Sequence, residues 1–182
     1  MNTNRLSKKL NDALNAQMTN EAHASQIYLS FGSWASEKGY DGIANFLFRH
    51  AEEERNHMMK FIEYILERGG KVKITAIAAP GPDPANVNDC FEKFLKAEID
   101  NTNEIYKIVK LSFDEQDWAT WNFMQWFVKE QIEEETLALN LMSKMKIAGG
   151  EHAKDDALYL IDKEVAGMDD AKSAEAATAA NP

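Results

Sequence analysis

Residues 46–58 read Phe-Leu-Phe-Arg-His-Ala-Glu-Glu-Glu-Arg-Asn-His-Met, and they set charged groups into an apolar helical pattern. Apolar side chains recur there at spacings of three and four, which is typical of one face of a helix. Glu54 follows Ala51 by three positions and precedes Phe61 by seven, so it shares their face. His57 follows Glu54 by three and projects from the same side. The stretch therefore predicts a helix that carries a carboxylate and an imidazole into its apolar interface.

The same helical periodicity extends along most of the 182-residue chain, and clusters of glycine and proline interrupt it. It predicts four long helices over about residues 6–37, 41–68, 87–114 and 118–147, and a shorter one over about 154–165. The chain after residue 166 is rich in Ala, Ser and Asp and poor in large apolar residues. We therefore expect one domain over 1–168 and a mobile tail over 169–182.

The lengths of the connections predict the topology. Short links join the first helix to the second and the third to the fourth, so each pair forms an antiparallel hairpin. The link over 70–86 reaches roughly 56 Å when extended, whereas the second helix is roughly 42 Å long. It is thus long enough to run the length of the bundle and to make the second and third helices parallel. The fold class is all-α, an up-down-down-up four-helix bundle with one long crossover and a short fifth helix.

Each of the four long helices carries a glutamate on its apolar stripe, near the middle of the helix. These glutamates are Glu21, Glu54, Glu98 and Glu134, and His57 and Gln131 lie beside them on the same stripes. If the helices align, all of these groups meet in one layer of the bundle interior. A single such glutamate is typical of the edge of a bundle, but four together with a histidine indicate a common site.

Burying one unpaired carboxylate costs several kcal/mol, and a fold is worth only about 5–15 kcal/mol. Salt bridges, protonation or bound cations relieve this cost, and basic residues are scarce on these stripes. Two divalent cations would offset four carboxylate charges. The nitrogen ligand of His57 favours iron, manganese or zinc over calcium or magnesium.

The net charge of −10 and the pI near 4.9 argue against nucleic acid and anionic membranes as partners. The single cysteine, Cys90, excludes an intramolecular disulfide and any cysteine-rich metal site. The N-terminus lacks the apolar core of a signal peptide, and no apolar run of about 18 residues occurs. These features predict a cytoplasmic protein.

Three stretches, 46–58, 121–135 and 158–164, resemble the second, fourth and fifth helices of the bacterial non-haem ferritins. The similarity extends over about residues 6–168. It implies the ferritin-like bundle, whose topology has one long crossover. It also implies an iron-storage protein that oxidises Fe(II) with O2 or H2O2 at a ferroxidase centre in each subunit. The ferric mineral would be deposited inside a homo-oligomeric cage of 24 subunits.

The resemblance further implies two irons per subunit, with Glu54 bridging them. The first iron takes Glu21, Glu54 and His57, and the second takes Glu54, Glu98 and Glu134. Two further residues match positions beside the pair, Gln131 and the tyrosine implicated in electron transfer, Tyr28. A third iron is implied at Glu53, Glu130 and Glu133, with Glu134 shared.

Departures from related branches refine the expectation. Haem-binding bacterioferritins have histidine at the position of Glu134, glutamate at that of Gln131 and a haem-ligating methionine at that of Arg55, so no haem is expected. His50 is interpreted as a capping or interior histidine. Animal ferritins line their threefold pores with acids where this chain has Trp121 and Met124, which leaves Asp114, Glu115 and Asp117 as candidates for iron entry.

Three other classes compete with this interpretation. Rubrerythrin-like peroxidases and di-iron oxidases usually carry paired Glu-x-x-His motifs, and rubrerythrin adds a cysteine-rich iron domain, whereas this chain has one such motif and one cysteine. A DNA-protecting miniferritin would lack the fifth helix and place its ligands across a subunit interface. A helical scaffold with an acidic interior would bind no stoichiometric iron.

Overall fold

The computed structural model describes residues 4–179, with the surroundings of side chains given up to Met168, and this range contains helices and no strand. The helices are α1 (Lys8–Glu37), α2 (Asp41–Glu67), α3 (Val87–Asp114), α4 (Trp118–Ile147) and α5 (Asp155–Ala179), with a 3-10 turn at Gly150–His152. Within the described range, no helix is both long enough and apolar enough to span a membrane.

Side-chain caps define where three of the long helices begin. The Ser7 hydroxyl accepts the Leu10 N–H at 3.0 Å at the start of α1, and the Asn86 side chain accepts the Asp89 N–H at 2.9 Å at the start of α3. Asp117 caps α4 in the same way. Each cap satisfies an amide that has no partner within the helix, which is worth about 1 kcal/mol. The predicted bounds of the four long helices are therefore correct to within two residues.

Two apolar clusters, one at each end of the bundle, establish the topology. One cluster joins the end of α1 to the beginnings of α2 and α3 and the end of α4, through Phe31, Trp34, Ile43, Phe46, Phe91, Phe94, Leu141 and Met145. The other joins the beginning of α1 to the ends of α2 and α3 and the beginning of α4, through Leu10, Leu14, Phe61, Ile65, Ile105, Ile108, Met124 and Phe127. Since α2 and α3 begin at the same end, they are parallel, and the up-down-down-up prediction is confirmed.

The crossover between α2 and α3 is held to α1 by two buried asparagines. Asn11 accepts the Lys71 N–H at 2.9 Å, and Asn15 accepts the Lys73 N–H at 2.6 Å. Both asparagines also donate to the Lys71 carbonyl, at 3.2 and 2.9 Å. These bonds replace strand pairing for an extended segment and direct the crossover along α1.

Helix α5 closes one end of the bundle against the beginning of α2. Asp162 accepts the Ile43 N–H at 2.9 Å, and a Cβ at Gly42 would lie 2.1 Å from the Asp162 carbonyl oxygen, so only glycine permits this approach. α5 runs to Ala179, beyond the predicted end near Val165, because the alanine-rich segment has high helix propensity. The predicted mobility of 169–182 stays a prediction, and residues 180–182 lie outside the described range.

Candidate metal centre

The four long helices bring the predicted polar layer together between the two apolar clusters. Its members are all at most 7% exposed: Glu21 from α1, Glu54 and His57 from α2, Glu98 from α3, and Gln131 and Glu134 from α4. Tyr28 of α1 is also buried. The helices place these groups inside because the surrounding positions on each stripe are apolar. The convergence of helices that the sequence predicted is therefore present in the structure.

The first cluster consists of Glu21, Glu54 and His57, whose ligand atoms all lie within 4.8 Å of one another. His57 Nδ1 lies 3.3 Å from Glu54 Oε2. The ring of His57 also meets Trp126 edge-on, with ring centroids 5.3 Å apart. Two carboxylates and an imidazole at this spacing are a suitable ligand set for a first-row divalent metal ion.

Glu98 of α3 is held by two donors. The phenol of Tyr28 donates a hydrogen bond to Glu98 Oε1, and the amide of Gln131 donates one to Glu98 Oε2 at 3.0 Å. The two oxygens of Glu98 are thus oriented from α1 and from α4 at once. Gln131 accordingly acts on this carboxylate as a hydrogen-bond donor.

A second cluster contains a residue that sequence analysis did not assign to a site. His50 Nε2 lies 3.3 Å from Glu134 Oε2 and 3.7 Å from Glu53 Oε2, and these three residues form a group with metal-ligand spacing. His50 Nδ1 donates to the Phe46 carbonyl at 3.0 Å, which turns Nε2 toward the two carboxylates. Of the two interpretations of His50, capping or interior, the structure agrees with the interior one. Its proximity to Glu134 depends on how α2 and α4 pack, and spacing along α2 alone does not reveal it.

The outer carboxylates that the resemblance associated with a third iron are distributed differently. Glu53 lies beside His50, and Glu130 Oε1 lies 4.0 Å from His57 Nε2. Glu133 is exposed, and it pairs with Lys129 at 3.4 Å. The structure therefore brings Glu53 and Glu134 together around His50, and it does not gather all four acids at one point.

Burial in a common layer shifts the protonation of these carboxyl groups strongly. Burial, reinforced by repulsion from Glu54, raises the pKa of Glu21, and burial, reinforced by Glu98, raises the pKa of Glu54. The pKa of Glu98 rises to about 8 for the same two reasons, with Glu134 as the neighbouring charge. Burial and the charge of Glu98 also raise the pKa of Tyr28. Protonation, the second of the three means of relief considered from the sequence, is therefore favoured at Glu21, Glu54 and Glu98.

Protons in the layer are replaceable by cations, because a metal ion competes for the same oxygen lone pairs. Carboxylates change between terminal and bridging coordination and stabilise higher oxidation states. The imidazole supplies a nitrogen ligand with moderate affinity for iron. Such a layer is suited to bind two neighbouring metal ions whose charge changes during reaction.

The candidates for iron entry lie away from this layer, at the turn between α3 and α4. Asp117 caps α4 and lies 3.4 Å from Arg68, and Asp114 pairs with Lys110 at 2.5 Å. Met124 is fully buried in an apolar cluster. Asp114 and Asp117 therefore already have basic partners in the single chain.

Comparison with known proteins finds ferritins that are similar over most of this chain. A family model described as a ferritin-like domain matches residues 11–148. A bacterial non-heme ferritin of Campylobacter jejuni is 38% identical over 158 residues, covering 87% of this chain and 93% of its own. A probable bacterial non-heme ferritin-like protein of Haemophilus influenzae is 36% identical, covering 90% and 97%. The solved structure of an open pore ferritin from Archaeoglobus fulgidus superposes with a TM-score of 0.84 at 35% identity, covering 88% and 98%.

Proposed function

The chain belongs to the ferritin family, and we propose that it stores iron by oxidising Fe(II) to Fe(III) at a centre inside its own four-helix bundle. The observation that carries the proposal is the layer of four buried glutamates and His57, which four helices bring together in the bundle interior. The names of the relatives, bacterial non-heme ferritins, agree with iron as the metal.

In this proposal Fe(II) is the substrate, and two ions occupy the layer. Glu21, Glu54 and His57 hold the first, and Glu98 and Glu134 hold the second. Glu54 bridges them, since it interacts electrostatically with Glu98 and Glu134 and also lies beside Glu21 and His57. Tyr28 and Gln131 orient Glu98 through their hydrogen bonds. Tyr28, buried beside the pair, is also placed to pass an electron to the oxidant. The oxidant is O2 or H2O2, and each accepts electrons from two irons at once.

We propose a third iron site on the side of the layer that faces His50. Glu53 and Glu134 already lie together there, and Glu130 approaches His57 from the same helix as Glu134. Glu133 can reach this site only if its ion pair with Lys129 breaks. That pair lies on the surface and is worth about 0–1 kcal/mol, so breaking it costs little. A third ion next to the pair would lie on a path for Fe(III) out of the bundle.

The assembly that we propose is a cage of 24 identical subunits in the cytoplasm, without haem. A single chain leaves several large apolar side chains exposed, among them Ile74 at 76%, Leu66 at 59% and Leu160 at 64%. Exposed apolar surface on this scale is typical of a protein that associates. Native mass spectrometry should give about 24 times the chain mass of 20.6 kDa, and about 12 times would favour the miniferritin class.

The central test compares Glu54→Ala with wild type in aerobic Fe(II) oxidation. Removal of the bridging carboxylate should lower the initial rate by more than about tenfold. The matched control is Glu52→Ala, two positions away on α2 with an exposed side chain, which should oxidise iron at the wild-type rate. Equal initial rates for Glu54→Ala and wild type would contradict the proposed centre.

A further inference from the structure

Two amide side chains from different helices donate hydrogen bonds to the Glu21 carboxyl group. Gln17 Nε2 donates to Glu21 Oε1 at 2.8 Å, and Asn101 Nδ2 donates to Glu21 Oε2 at 3.2 Å. Gln17 Nε2 also donates to Asn101 Oδ1 at 2.5 Å, so the two amides are joined to each other. Gln17 lies one turn before Glu21 on α1, whereas Asn101 comes from α3. Each oxygen of a fully buried carboxylate thus has its own N–H donor.

The surroundings determine which way the two amides face. The nitrogens of Gln17 and Asn101 face Glu21, whose two oxygens accept their hydrogen bonds. Asn20 donates to Gln17 Oε1 at 3.3 Å, which occupies the other end of the Gln17 amide. Gln17 is 1% exposed, so water does not compete for its bonds. The chain of amides therefore has one consistent orientation.

We propose that Gln17 and Asn101 are positioning residues that fix the Glu21 carboxylate for the first metal ion, an inference that rests on the proposed function. Each carboxylate oxygen has two lone pairs, and the amides take one from each. One oxygen of Glu21 also lies within 4.8 Å of a ligand atom of Glu54 and of His57, so the held carboxyl group remains next to the other ligands of the first cluster. Glu21 is thereby held ready as a ligand, and the metal does not have to order it on binding.

On this side of the bundle, Asn101 also separates Glu21 from solvent. Asn101 and Asn20 line a groove of about 1000 Å³ between α1 and α3, whereas Glu21 behind them is 0% exposed. The half-buried Asn101 therefore contacts the groove with one part of its side chain and Glu21 with another. Loss of its amide would leave Glu21 free to rotate and would open it to water.

The test measures metal affinity without oxidation, by anaerobic titration of the metal-free protein with Co(II), whose visible absorption reports the ligand geometry. Asn101→Leu keeps the approximate size and removes both polar atoms. We expect the first equivalent of Co(II) to bind about 10-fold to 100-fold more weakly, the range typical when a partner of a metal ligand is removed, with a changed absorption spectrum. Gln17→Met should act in the same direction.

The matched control is Asn103→Leu, because Asn103 lines the same groove two residues further along α3 and is exposed. It should leave Co(II) affinity and spectrum unchanged. Circular dichroism at low and high temperature verifies that each variant is folded. Gln17 is fully buried, and its replacement risks misfolding. The test is therefore decided by the Asn101→Leu variant, because Asn101 is only half-buried.

We call Gln17 and Asn101 together the amide clamp. Two outcomes of the experiment distinguish a failure of this clamp from a failure of the proposed function. Wild-type protein that binds Co(II) and oxidises iron, together with an Asn101→Leu variant of the same affinity and spectrum, would overturn the clamp alone. Wild-type protein that binds no stoichiometric Co(II) would overturn the proposed function and the clamp together. Weaker binding with a shifted spectrum in Asn101→Leu, at an unchanged melting temperature, supports the clamp.

Discussion

The phenol of Tyr28 donates a hydrogen bond to Oε1 of Glu98, across the interface between α1 and α3 and inside the polar layer. Tyr28 is 1% exposed and packs on Phe94, with ring centroids 5.0 Å apart, so its hydroxyl is fixed in place. The bond links an aromatic ring directly to a proposed iron ligand. Glu98 therefore depends on α1 for its orientation although it belongs to α3.

Tyr28→Phe should slow iron oxidation several-fold and leave the fold intact. The substitution keeps the ring in the apolar cluster and removes only the donor to Glu98, which costs about 1 kcal/mol for a buried hydrogen bond. Stopped-flow measurement of aerobic Fe(II) oxidation gives the rate, and thermal unfolding gives the stability. The control is Tyr106→Phe, an exposed tyrosine on α3, which should behave as wild type in both measurements. A wild-type oxidation rate in Tyr28→Phe would remove Tyr28 from the centre.

The metal-free protein should lose stability as the pH rises from about 5 to about 8. Glu98 has a pKa raised from 4.5 to about 8 by burial, and Glu21 and Glu54 are raised as well. In this window the folded chain holds protons that the unfolded chain has released, so each unit of pH lowers stability by up to about 1.4 kcal/mol per group. The stabilisation is complete below the unfolded pKa and disappears above the folded one.

Thermal unfolding in the presence of a chelator, at several pH values, measures this slope. Glu98→Gln removes one of the titrating groups, so its melting temperature should fall less steeply over the same range. A metal-free wild type whose stability rises from pH 5 to pH 8 would show that the layer is ionised without metal, contrary to the pKa shifts.

Helix positions and the ligand layer were predictable because both follow from periodicity. Glu21, Glu54, Glu98 and Glu134 occupy the positions where the apolar stripe demands burial, and burial is where the structure places them. His50 was not predicted as a partner of Glu134, because their distance depends on the packing of α2 against α4. A single stripe specifies which residues face inward, but it does not specify which of them meet.

The amide clamp was hidden for a related reason. Gln17 and Asn101 are uncharged, so the pattern of charged residues on apolar stripes does not identify them. Asn101 lies three residues after Glu98 on α3, yet it bonds Glu21 on α1. Only the crossing of α1 and α3 joins them. α5 continues to Ala179, beyond its predicted end near Val165. The segment after Val165 has few large apolar residues, which disfavours an ordered helix, but its alanines have high helix propensity.

Metal binding at neutral pH should release protons, because the ions displace those that the carboxyl groups retain. Anaerobic addition of Fe(II) to weakly buffered protein should acidify it in proportion to the metal bound, until the sites are full. The same addition should raise the melting temperature, since ligands of the folded state stabilise it by mass action, by about 2.7 kcal/mol at 100 times the dissociation constant. Chelation should reverse both effects. Binding without proton release would mean that the carboxylates were already ionised.

The His50 cluster predicts an effect on iron beyond the first two ions. His50→Leu and Glu53→Gln should each lower the total Fe(II) bound anaerobically by about one ion per subunit, if a third ion lies there, and should leave the first two in place. Glu52→Gln is the matched control for Glu53→Gln, since Glu52 is the adjacent residue on α2 and its side chain is exposed. Anomalous scattering from iron-soaked crystals locates the ions. Undiminished density for an ion beside positions 50 and 53 in both variants would contradict a third site at this position.

Gly42→Ala should displace α5 and thereby test what the fifth helix contributes. The added Cβ would lie 2.1 Å from the Asp162 carbonyl oxygen, a contact with backbone that no side-chain rotation relieves. α5 must then move away from α2, which strains the Asp162 bond to the Ile43 N–H and uncovers Ile161 and Val165. Overpacking of this kind costs about 1–3 kcal/mol, so the melting temperature should fall by several degrees.

The matched control is Gly167→Ala. Gly167 lies on α5 and has open space around it, so this substitution should not destabilise the protein. Because the ligand layer lies away from this end, the initial rate of iron oxidation should persist in Gly42→Ala, and a loss of oxidation as large as that in Glu54→Ala would show that docking of α5 reaches the metal centre.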